Sequence, residues 1–94
     1  MDDQHLLDEL LQAAQRLGVE VRLEPFETPA TMGGGLCVVR GEQLVLIDQR
    51  APLVDRIRAL ARALAELQSE TVYMAPDARE LIETIRGYRI PPIE

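Results

Sequence analysis

Apolar residues recur at helical spacing in the first part of the chain. Leu6, Leu7, Leu10, Leu11, Ala14 and Leu17 share one face, and Asp8, Glu9, Gln12, Gln15 and Arg16 take the other. This division predicts an amphipathic helix. Asp2 and Asp3 stand at its start, where negative charge suits the positive end of the helix dipole, and Gly18 stands where the helix should stop. The period then changes. VEVRLE, from Val19 to Glu24, alternates apolar and polar residues and predicts a strand with one side wet. Pro25 and Pro29 break regularity, so PFETPATMGG reads as a long loop. GLCVVR and QLVLID are β-rich runs joined at Arg40-Gly41-Glu42, which is a hairpin signal. Both runs are almost continuously apolar, so the hairpin is expected at the centre of the sheet, covered on both faces.

Helical spacing returns with Leu53, Val54, Ile57, Leu60, Ala61, Leu64 and Leu67, behind Pro52. Asp55, Arg58, Arg62 and Glu66 lie opposite that stripe, spaced for pairing along the helix. TVYM, from Thr71 to Met74, reads as a short fourth strand. Pro76 and Asp77 open a third helix with Ala78, Leu81, Ile82 and Ile85 inward, and Gly87 is expected to end it. The tail YRIPPIE is too rich in proline to continue a helix. The predicted order is α-β-β-β-α-β-α: one α+β domain over residues 1–94, with a small, mostly antiparallel sheet packed by helices.

Composition narrows the function classes. The net charge of -6 disfavours nucleic acid as a partner, because phosphate binding needs a basic surface. Every basic residue is arginine. A single cysteine forms no internal disulfide, which fits a reducing, cytoplasmic setting. The start MDDQH is acidic and unlike a signal peptide, and no apolar run reaches the length of a membrane span. With one His, one Cys and no HxxH or CxxC spacing, neither a metal nor any other cofactor is expected.

Candidate site residues concentrate between Phe26 and Arg50. Cys37 sits between Leu36 and Val38 in an apolar run, which reads as a buried strand cysteine. The alternative, a reactive thiol, needs a helix N-terminus or a nearby cation or histidine, and His5 is the only histidine. Gly33, Gly34 and Gly35 precede a strand, whereas a phosphate loop leads from a strand into a helix. They read as a bulge or a free approach to the strand, or as backbone passing close to a partner peptide. Asp48 ends a strand and precedes Arg50, so it either caps the turn or pairs with that arginine; acid–base chemistry with Asp48, Asp55 or Glu66 is the other possibility. Phe26 and Met32 are large apolar residues on the loop from Pro25 to Gly35, either plugs over the core or contacts for a partner.

GGLCVVRGEQLVLID followed by PLVDRIRALARALAEL resembles a family of small bacterial proteins with a GG-x-C hairpin, a leucine-rich helix and a late segment matched here by TVYMAPDARELI. The resemblance implies no activity. LARALAEL after a strand ending in Asp is also similar to the hairpin–helix core of H-E-x-x-H zinc peptidases. In that alignment Arg62 replaces the first metal histidine, Ala63 the catalytic glutamate and Glu66 the second histidine, so the similarity implies a scaffold without its zinc chemistry. The resulting expectation is a non-catalytic cytoplasmic domain that works by association with a protein partner or with itself, as a homodimer. The alternative is a small enzyme or ligand-binding protein with a site between the loop from Pro25 to Gly35 and the start of the second helix.

Overall fold

The structure, a computed structural model, describes residues 1–26 and 33–89. Helix α1 runs from Asp3 to Leu17. Asp2 starts it as a true cap, its side chain accepting the His5 N–H at 2.8 Å. Gly18 stops it with φ of 84°, and the Val19 N–H returns to the Ala14 carbonyl. Strand β1 (Glu20–Glu24) follows, then β2 (Gly34–Val39) and β3 (Glu42–Asp48). Helices α2 (Leu53–Glu66) and α3 (Pro76–Arg89) complete the described chain, separated by a 3-10 turn at Ser69–Thr71. The α+β class is as expected.

The sheet order is β1-β3-β2. The turn at Arg40 and Gly41 has φ of 54° and 83°, the paired positive values of a tight two-residue hairpin. β2 and β3 are antiparallel, with Val39 opposite Glu42 and Cys37 opposite Leu44. β1, however, runs parallel to β3, with Val21 beside Val45 and Leu23 beside Ile47. The sheet is therefore mixed rather than mostly antiparallel. β1 and β2 lie on opposite sides of β3, so the hairpin from β2 returns between the two outer strands. Among the described residues β3 is therefore central, and β2 is an edge rather than part of a doubly covered centre.

One face of the sheet, with Val21, Leu36, Val45 and Ile47, joins the main core. α2 lies in the middle of that core, against α1, α3, β2 and β3. Its alanines at 59, 61, 63 and 65 are buried along with Leu60 and Leu64, and their small side chains let neighbours close in on several sides. Burying each of the two leucines contributes about 1.5–3 kcal/mol.

The fourth strand does not form. Thr71 closes the 3-10 turn, and Val72 is extended but pairs with no strand among the described residues. The polar groups there face α3 instead. Arg79 donates to the carbonyls of Ser69 (3.1 Å) and Val72 (2.6 Å). Arg86 donates to the carbonyls of Ala65 (3.1 Å) and Leu67 (2.9 Å) and to Ser69 Oγ (3.0 Å). The Arg86 guanidinium thus satisfies carbonyls that the end of α2 leaves open, and Arg79 does the same for the 3-10 turn and the residue after it. Gly87 does not stop α3, which continues to Arg89. Arg86 ties that last turn to α2, which offsets the roughly 1 kcal/mol cost of a glycine within a helix.

Candidate functional site

The structure gathers part of the candidate set at one end of the sheet. Asp48 closes β3 with 4% of its surface exposed. Its Oδ1 accepts the backbone N–H of Arg50 at 3.0 Å and of Phe26 at 3.5 Å. The carboxylate therefore ties the end of β3 to the segment leaving β1. This is the turn-capping role, through the backbone of Arg50 rather than its guanidinium. Phe26 is half-buried and Arg50 exposed. Met32 lies outside the described residues.

Gly33 and Gly34 enter the same end. A Cβ on Gly33 would stand 2.8 Å from the Asp55 carbonyl oxygen, in the first turn of α2. A Cβ on Gly34 would stand 2.1 Å from the Leu46 carbonyl oxygen. Both have positive φ, 84° and 129°. The close approach is thus to the protein's own helix and strand. Gly35 has neither constraint.

Cys37 is half-buried, not fully buried. Residues alternate across a strand, so Cys37 lies on the face away from Val45 and Ile47 and outside the main core. Its Sγ is 3.8 Å from the Gly35 carbonyl oxygen. Of the three positions compared with the H-E-x-x-H pattern, Ala63 is buried, Glu66 is exposed, and Arg62 donates to the Gly34 carbonyl at 3.5 Å. Among the described residues no three His, Cys, Asp or Glu side chains converge on a metal-sized site. No helix of the described residues is long and apolar enough to cross a membrane.

Sequence reading missed the contrast between the two sheet edges. On β1, Glu20, Arg22 and Glu24 alternate along the strand, and Arg22 Nε donates to Glu20 at 2.9 Å. That bond, and the attraction of the carboxylate, raise the guanidinium above its ordinary pKa. β2 carries no charge from Gly34 to Val39, and Val38 and Val39 are 67% and 46% exposed. The register and the tight turn make Val39, Cys37 and Gly35 the residues hydrogen-bonded to β3. The backbone groups of Gly34, Leu36 and Val38 consequently point away from the sheet. Arg62 takes the Gly34 carbonyl. An absence of charge across a six-residue strand was readable from the sequence; that this strand is an edge was not.

Two open grooves flank the hairpin end, opposite to Asp48. One of about 450 Å³ is lined by Glu20, Arg22, Val39, Arg40, Glu42 and Leu44. The other, of about 560 Å³, lies between the end of α1 and the start of β3. No family model matches the chain, and neither a curated protein nor a solved structure matches it.

Proposed function

We propose that this chain is a non-catalytic cytoplasmic domain that works by association, with the outer edge of β2 as its contact surface. The observation that carries this reading is the state of that edge. It is apolar and uncharged, with Leu36 and Val38 presenting backbone donors and acceptors outward. Such an edge accepts an added strand: the backbone supplies the hydrogen bonds and the exposed valines supply apolar contact. The paired charges along β1 make the other edge a poorer template. The acidic net charge favours a protein over a nucleic acid as the partner, and the lone cysteine fits a reducing compartment.

The test is Val38→Pro. Proline removes one outward N–H and blocks strand addition, yet it breaks no bond to β3, because Val38 does not donate to that strand. The variant should stay folded, with a melting temperature within about 5 °C of the parent, a shift that corresponds to roughly 1 kcal/mol. Its association, measured by sedimentation and by capture from extracts of the native host, should be lost. Val38→Lys should act in the same direction by placing a charge on the edge. A folded Val38→Pro protein that associates as strongly as the parent would refute the proposal.

A further inference from the structure

We draw no further inference here: the strongest candidate, the sheet face turned away from the helices, where Leu44 and Leu46 lie beside Cys37 within a rim of mixed charge from Glu20, Arg22, Arg40 and Glu42, is an apolar surface for which nothing in the structure shows what covers it.

Discussion

Gly34 and Gly35 are adjacent, alike in sequence and opposite in what the fold asks of them, so replacing each by alanine separates two accounts of the glycine run. At Gly34 the added Cβ would lie 2.1 Å from the Leu46 carbonyl oxygen and 3.0 Å from the Ile47 Cα. Those atoms are backbone of the central strand and cannot rotate away. The φ of 129° adds its own cost, since L-residues rarely adopt it. Backbone strain of this kind costs on the order of 1–3 kcal/mol. Opening the first pair of the β2–β3 ladder, or moving β2, adds to it, for a total of about 3 kcal/mol. A 94-residue domain has about 5–14 kcal/mol of stability in all. At roughly 4–8 °C per kcal/mol, Gly34→Ala should lower the melting temperature by about 12–24 °C, or prevent folding. At Gly35 no atom lies within 4 Å of the added Cβ and φ is ordinary. Gly35→Ala should leave stability unchanged or raise it by about 0.4–1 kcal/mol, by restricting the unfolded chain. Thermal unfolding followed by circular dichroism checks both. Equal melting temperatures for the two variants would refute the assignment of Gly34 to internal packing and return the run to a ligand-facing role.

Two further substitutions test the polar ties. Arg86→Ala removes the donor to the Ala65 and Leu67 carbonyls and to Ser69 Oγ. With charged hydrogen bonds worth about 1.5–3 kcal/mol each and partial replacement by water, it should destabilise by about 2–3 kcal/mol in denaturant titration. Arg86→Lys should recover little, because an ammonium cannot span three acceptors; full recovery would show that charge alone matters. Asp48→Ala leaves the Arg50 and Phe26 N–H groups without this acceptor at a part-buried junction. It should cost about 2 kcal/mol, and a neutral result would refute the turn-capping role.

What the sequence disclosed was local. Asp2, Gly18 and the Arg40-Gly41 turn act within a few residues of themselves, and the pattern located each. The stripes of α1, α2 and α3 were legible because a helical period reports which face is buried. Strand partners were not, since alternation assigns residues to faces but not to neighbours. Val21 and Leu23 share one face whether β1 runs parallel or antiparallel to β3, and only Val21 packs against the core. Thr71–Met74 has strand-forming residues, but its polar groups meet another element instead, Arg79 of α3 donating to the Val72 carbonyl. Cys37 failed for a related reason. A continuous apolar run does not tell which of its members face the helices, and Cys37 falls on the other side.

Several described residues between Phe26 and Arg50, and Arg62 beside them, hold the fold together. Asp48 is occupied with backbone N–H groups, Gly33 and Gly34 with the close approach of α2 and β3, and Arg62 with the Gly34 carbonyl. Backbone groups obey the same accounting. Buried ones are paired almost without exception, whereas an edge strand leaves alternate groups turned outward. In β2 those groups lie among uncharged side chains, and the guanidinium of Arg62 holds the outward carbonyl of Gly34. Water satisfies them in the isolated chain, but it leaves Val38 and Val39 wet. On the proposed reading, an added strand would satisfy the same donors and acceptors and cover apolar surface as well, and that hydrophobic gain is what would have to exceed the entropy lost on association.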